Sequence, residues 1–89
     1  RQMDREIKVP SDWNAEVQKN IDRFAFTFQS QTDVTIAERI YERLLELREL
    51  SEDAFEQDPS GAAETYRLCA ELDDLIVRAD VELEQWNKK

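Results

Sequence analysis

The sequence contains no histidine, and this absence excludes several kinds of active site. A Ser-His-Asp or Cys-His triad needs an imidazole, and so does histidine acid-base catalysis near neutral pH. Zinc sites with histidine ligands and the Glu-x-x-His pairs of di-iron bundles are excluded for the same reason. Carboxylate catalysis remains, but no residue pattern identifies a substrate pocket. We therefore predict that the protein is not an enzyme.

Glycine and cysteine each occur once, as Gly61 and Cys69. A single glycine cannot build the glycine-rich loops that cradle nucleotide phosphates, so nucleotide binding is not expected. A single cysteine cannot form an internal disulfide bond, which favours a reducing, cytoplasmic location. We expect Cys69 to be a small buried residue, with a reactive thiol as the alternative.

Long apolar runs are missing and basic residues are few. No apolar stretch approaches the roughly 18 residues of a membrane span, and no signal peptide begins the chain, so we expect a soluble protein without a membrane partner. The 89 residues carry 12 Lys and Arg against 21 Asp and Glu, a formal net charge of −9. Because the basic residues are also scattered, direct binding of nucleic acid is not expected.

The acidic residues do not form a metal-binding motif. Asp73-Asp74 and Glu52-Asp53 are sequence neighbours whose side chains point in different directions on a helix. No calcium-binding loop of the D-x-[DN]-x-[DN]-G type occurs. We predict neither a metal site nor a cofactor.

Apolar residues make up 40% of the chain, and only two prolines accompany the single glycine. This composition favours an all-α fold. Residues 1–10 are predicted to be an extended N-terminal arm, because Pro10 disfavours helical geometry in the residue before it. Residues 11–89 are predicted to form one helical bundle domain.

The first helix is predicted over residues 12–29, with Ser11 or Asp12 as its cap. Apolar residues recur at spacings of four, four, three and four, which places them on one helical face. These residues are Trp13, Val17, Ile21, Phe24 and Phe28. Residues 24–28 also alternate as a half-buried strand does, so a strand there is the alternative.

A second helix is predicted to begin between Asp33 and Thr35, where Thr35 and Glu38 match a capping box, and to run to residue 57. Its apolar face is wide enough to contact two neighbours. The face comprises Val34, Ala37, Ile40, Tyr41, Leu44, Leu45, Leu47, Ala54 and Phe55. Leu50 falls outside it, on the polar side, where it is either simply exposed or a contact with a second molecule.

Asp58-Pro59 predicts a tight junction, because proline ends one helix and suits the first turn of the next. From there to about residue 87, apolar residues repeat every seven positions in two rows. The rows are Ala62, Cys69, Ile76 and Leu83, and Thr65, Leu72, Ala79 and Trp86. The predicted fold is a three-helix up-down-up bundle built on a long antiparallel helical hairpin, with the first helix as its lid.

Five acidic residues of the second helix project within about 60° of one another on a helical wheel. We call this set, Glu38, Glu42, Glu49, Asp53 and Glu56, the acidic stripe. An ordinary solvated helix face explains such a stripe. The functional interpretation is a docking surface, together with Leu50, for a protein partner with a basic surface.

The sequence therefore predicts a small acidic, non-catalytic protein–protein interaction module, such as an adaptor or regulatory subunit. One alternative is an inhibitor whose carboxylates mimic the phosphates of DNA or RNA and so block a nucleic-acid-binding protein. A small enzyme subunit is the third interpretation. An exposed Leu50 also favours a homodimer, because a small domain gains stability by burying apolar surface against a copy.

Arg48 lies within the apolar face of the second helix, where a charge needs a partner or must extend to water. In an antiparallel hairpin that turns near residues 58–59, the acid closest in level is Asp73. We predict an Arg48–Asp73 contact. The alternatives are that Arg48 extends outward or pairs with Glu52 on its own helix.

Overall fold

The computed structural model describes residues 8–31 and 33–88. Helices account for 89% of these residues and no strand occurs among them, so the all-α prediction is confirmed. The elements are α1 (Trp13–Ser30), α2 (Val34–Glu49), α3 (Ser51–Gln57), a short 3₁₀ helix (Pro59–Gly61) and α4 (Ala62–Lys88). Residues 24–28 lie inside α1, so the alternative strand is wrong. Residues 8–10 have no regular secondary structure, and the rest of the predicted arm lies outside the described residues.

Aspartate side chains cap the first two helices. Asp12 caps α1 as predicted, and its Oδ1 accepts from the Ala15 amide at 3.1 Å. Asp33 caps α2, and its Oδ1 accepts from the Thr35 amide at 2.9 Å. The predicted capping box is therefore wrong: Thr35 is inside the first turn, because Asp33 already satisfies its amide.

The predicted second helix is interrupted at Leu50, which separates α2 from α3. The Leu47 carbonyl accepts from the Leu50 amide at 3.2 Å and from the indole Nε1–H of Trp13 at 2.8 Å. A side chain that donates into the backbone ladder of a helix is a common cause of a kink. Leu50 is only 8% exposed. The prediction that Leu50 lies on the polar side is wrong because it assumed regular helical geometry, whereas the φ of −88° and ψ of 4° at Leu50 depart from it.

The junction between α3 and α4 is as tight as Asp58-Pro59 predicts. Pro59 occupies the first position of the 3₁₀ helix, and α4 begins directly after it at Ala62. The Ser60 hydroxyl donates to Asp58 Oδ1 at 2.7 Å, and the Gly61 amide donates to the Asp58 carbonyl at 3.1 Å. These short-range bonds hold α4 close to the end of α3.

The core lies where α1, α2 and α4 meet, and α1 packs against both other helices. Trp13, Val17 and Phe24 of the predicted α1 face are buried there. The heptad rows of α4 are also buried or half-buried. The most completely buried large side chains are Leu44, Leu47, Leu68, Leu72 and Val17.

Contacts between α2 and α4 run in opposite directions along the two helices. Glu38, near the start of α2, accepts a hydrogen bond from Asn87 near the end of α4 at 2.8 Å. Arg48, near the end of α2, binds Asp73 in the middle of α4. These two bonds therefore bracket a stretch in which the helices lie side by side.

Candidate functional site

The acidic stripe is largely exposed. Glu42, Glu49, Asp53 and Glu56 are exposed, and Glu38 is half-buried because Asn87 holds it. The interruption at Leu50 divides the stripe between α2 and α3. The four exposed carboxylates form no ion pair or hydrogen bond with any other described residue. They are therefore free to meet positive charge from outside the chain.

Two of the three arginines of α2 are bound to acids of the neighbouring helices. Arg43 Nη2 lies 3.6 Å from Glu16 Oε2 on α1, and Arg43 Nη1 lies 3.0 Å from Glu46. Arg48 binds Asp73 on α4. The positive charge of α2 is thus largely neutralised between helices, while its acids face water.

Leu50 does not join the stripe as a contact residue. It packs in the core beside Ala54 and the other buried apolar side chains. Because Leu50 is buried, it cannot take part in a docking surface.

The predicted Arg48–Asp73 contact is confirmed. Arg48 Nε donates to Asp73 Oδ1 at 2.7 Å and Nη2 donates to Oδ2 at 3.2 Å, which makes the pair bidentate. Arg48 Nη1 also donates to the hydroxyl of the buried Ser51 at 2.8 Å, across the break between α2 and α3. The hydrogen bonding between Arg48 and Asp73 raises the pKa of Arg48 and lowers the pKa of Asp73. One arginine therefore links three helices.

Exposure limits what the Arg48–Asp73 pair contributes to stability. The two side chains are 38% and 59% exposed. Partly solvated pairs contribute little, although bidentate geometry raises the value. In a double-mutant cycle with Arg48→Met and Asp73→Leu, we expect a coupling energy of about 1 kcal/mol by urea unfolding. A coupling of zero would leave the Arg48–Ser51 bond as the only useful interaction of this arginine.

The lowered pKa of Asp73 predicts a pH dependence of stability. In the unfolded chain this carboxyl titrates near its ordinary value of 3.8, and in the folded chain the Arg48 hydrogen bonds move its pKa below that. The stabilisation is therefore complete above the unfolded pKa and is lost as pH falls through the folded pKa. We expect the difference in unfolding free energy between wild type and Asp73→Asn to be constant above about pH 5 and to shrink below about pH 4. A difference that stays constant throughout the acid range would contradict this.

An open groove of about 570 Å³ lies between α2 and α4 beside the Glu38–Asn87 bond, and we call it the α2–α4 groove. Its lining residues are Glu38, Tyr41, Glu42, Leu45, Asp80, Leu83, Glu84 and Asn87. Four of them are acids and none is a lysine or arginine. Burial, and secondarily the charge of Asp80, raise the pKa of Tyr41. The groove combines an apolar floor with negative walls.

A larger groove of about 910 Å³ lies between α1 and α4. Its apolar lining includes Ile21, Phe28 and Leu75. Charges of both signs border it, since its lining includes Arg78 as well as Glu71 and Glu82.

Cys69, Tyr66 and Trp86 each pack against other side chains of the protein. Cys69 is a buried free thiol, as predicted. Tyr66 is 70% exposed, with its ring 4.8 Å from that of Phe55. Trp86 is half-buried and meets Phe28 edge-on at 5.4 Å.

Comparison with known proteins found no match among protein-family models, curated proteins or solved structures. In residues 8–31 and 33–88, no helix combines the length and apolarity needed to span a bilayer. Within the same residues, no three or more carboxylate or cysteine side chains converge to hold a metal ion. The proposed function therefore depends on the surface charges and grooves of this protein.

Proposed function

We propose that the protein is a small non-catalytic interaction module that binds a basic surface of a protein partner. Its acidic face is the exposed part of the acidic stripe: Glu42, Glu49, Asp53 and Glu56. The observation that carries the proposal is that these carboxylates have no partner among the described residues, whereas Arg43 and Arg48, two of the three arginines of α2, bind acids of neighbouring helices. Unpaired charge of one sign attracts a partner of the opposite sign over long distances.

The scaffold we propose is an up-down-up bundle in which α2 and α3 together form the second arm. The bonds from Glu38 to Asn87 and from Arg48 to Asp73 support antiparallel packing of that arm against α4. The bonds from Trp13 to Leu47 and from Glu16 to Arg43 support the same relation between α1 and α2. On this scaffold the acidic face lies on the outer side of α2 and α3. Cytoplasmic localisation remains a prediction from the single cysteine.

The experiment compares capture of partners by three immobilised forms of the chain. The first is wild type. The second is the stripe variant, Glu49→Gln, Asp53→Asn and Glu56→Gln. The third is a matched control that removes the same charge elsewhere, Asp22→Asn, Asp74→Asn and Glu82→Gln. The captured proteins are eluted with a salt gradient and identified by mass spectrometry.

We expect a protein with a basic surface to bind wild type and the control but to be lost from the stripe variant and at high salt. Equal retention by all three forms contradicts the proposal. If the captured protein binds nucleic acid, competition with DNA or RNA tests the alternative function. Mutually exclusive binding supports mimicry, and simultaneous binding supports a plain interaction module.

The predicted homodimer has lost the observation that favoured it, because Leu50 is buried. Packing of α1 against α2 and α4 also counts against it, since α1 already covers the core. Phe26, which is 73% exposed on α1, remains as an apolar contact for a copy. Light scattering at high micromolar concentration tests this prediction: a dimer mass supports self-association and a monomer mass contradicts it.

A further inference from the structure

The α2–α4 groove offers apolar surface between acidic side chains. Leu45 lies in the groove and is 37% exposed, and the half-buried Tyr41 also lines it. A single exposed leucine is common on protein surfaces, but this one lies in a concave site, where ligands bind preferentially.

The dimensions of the groove fit a helix. Its lining runs from Glu38 to Leu45 on α2 and from Asp80 to Asn87 on α4, seven residue steps or about 10 Å along each helix axis. The groove between two adjacent helices can accept a third amphipathic helix, with anchors every three or four residues. About two turns of such a helix would lie over Tyr41 and Leu45.

The charge of the groove selects the kind of helix. Glu38, Glu42, Asp80 and Glu84 border it, and no basic residue lines it. On other parts of α4, exposed acids pair with arginines: Arg67 bonds Glu64 and Glu71, and Arg78 bonds Asp74. The lining of the groove supplies no positive charge of its own, so a cationic ligand would complement it. A second copy of this chain, at −9, and an anionic membrane or nucleic acid would all be repelled.

We propose that the α2–α4 groove binds a basic amphipathic helix of a partner protein, whose apolar side chains pack on Leu45 and Tyr41 while its lysines and arginines meet the bordering carboxylates. This inference rests on the proposed function and specifies the partner and the place where it docks. Charged residues along both sides of an apolar contact set the orientation and the specificity of binding.

The test uses a defined probe. It is a fluorescently labelled helical peptide of leucine and lysine, about 18 residues long, with leucines every three or four positions. A scrambled peptide of identical composition, which forms no amphipathic helix, controls for simple charge attraction. Fluorescence anisotropy gives the dissociation constants for the full chain, and circular dichroism confirms that each variant is folded.

The groove variant carries Glu42→Gln, Asp80→Asn and Glu84→Gln, and the stripe variant is its control because it removes the same number of charges. We expect the groove variant to bind the helical peptide about tenfold more weakly, and the stripe variant to stay within about twofold to threefold of wild type. Leu45→Ala should weaken binding several-fold, while Phe26→Ala, which truncates an exposed side chain away from the groove, should not.

Two results would overturn this inference. Equal affinity for the helical and scrambled peptides would mean that only net charge is recognised. Equal weakening by the groove and stripe variants, or loss in the stripe variant alone, would place binding outside the groove. Loss of binding in the stripe variant alone would still agree with the proposed function, which the capture experiment tests separately.

Discussion

We expect Trp13→Ala to lower the free energy of unfolding by about 4 kcal/mol, the largest effect of any single substitution considered. Trp13 is 3% exposed and packs in the core at the start of α1. Its indole N–H also donates to the carbonyl of Leu47 at 2.8 Å. This carbonyl lies two residues before the end of α2. Alanine would leave a cavity and remove this bond together. A small domain has only about 5–10 kcal/mol in total, so the variant should be close to unfolded at moderate temperature.

Trp13→Phe separates the contribution of apolar packing at Trp13 from that of its indole hydrogen bond. Phenylalanine keeps most of the apolar contact but has no N–H to donate, so we expect a loss of about 2 kcal/mol. Trp86→Ala is the matched control, because the second tryptophan is half-buried and donates to no backbone carbonyl within residues 8–31 and 33–88. Urea unfolding followed by circular dichroism measures all three. If Trp13→Phe were as stable as wild type, the indole bond would not be what holds the α2–α3 junction.

The second large effect is expected at Leu44, which is completely buried between the helices. Leu44→Ala should cost about 3 kcal/mol, because it removes apolar contact and leaves a cavity. The adjacent Leu45 is 37% exposed, and Leu45→Ala should cost well under about 1 kcal/mol. The two substitutions are chemically identical and one residue apart, so their difference in unfolding free energy isolates burial. Equal losses would contradict the assignment of the core face of α2.

Most of the helical architecture follows from local signals in the sequence. Asp12 and Asp58-Pro59 mark helix boundaries through short-range bonding, and the structure uses both. The heptad rows of α4 predict its buried side because they depend only on helical periodicity. The Arg48–Asp73 contact could be predicted because the tight junction at Asp58-Pro59 limits which residues on either side of it can lie level.

The interruption at Leu50 could not be predicted in the same way. At this break the Leu47 carbonyl accepts a hydrogen bond from Trp13, which is 34 residues away in the chain. A helical wheel assumes a continuous helix, so it placed Leu50 on the polar side. The cap of α2 was difficult to predict for a different reason. Asp33 and Thr35 both suit the cap position and lie only two residues apart, and the structure uses Asp33.

The candidate site was predictable only in part. Charge spacing along one helix predicts the exposed acidic stripe, since it needs no knowledge of the neighbouring helices. The α2–α4 groove needs the lateral placement of two helices, which brings Asp80 and Glu84 beside Tyr41 and Leu45. No local pattern in the sequence carries that information.

The most direct test of the account is to locate where a basic amphipathic helix binds, by recording amide chemical shifts of the isotopically labelled chain during titration with the leucine–lysine peptide. We expect the largest shift changes at residues of the α2–α4 groove, including Leu45, Asp80 and Glu84, and expect them to weaken as salt is added. Shift changes centred on Ile21 and Phe28 in the groove between α1 and α4, or spread evenly over all acidic residues, would contradict it.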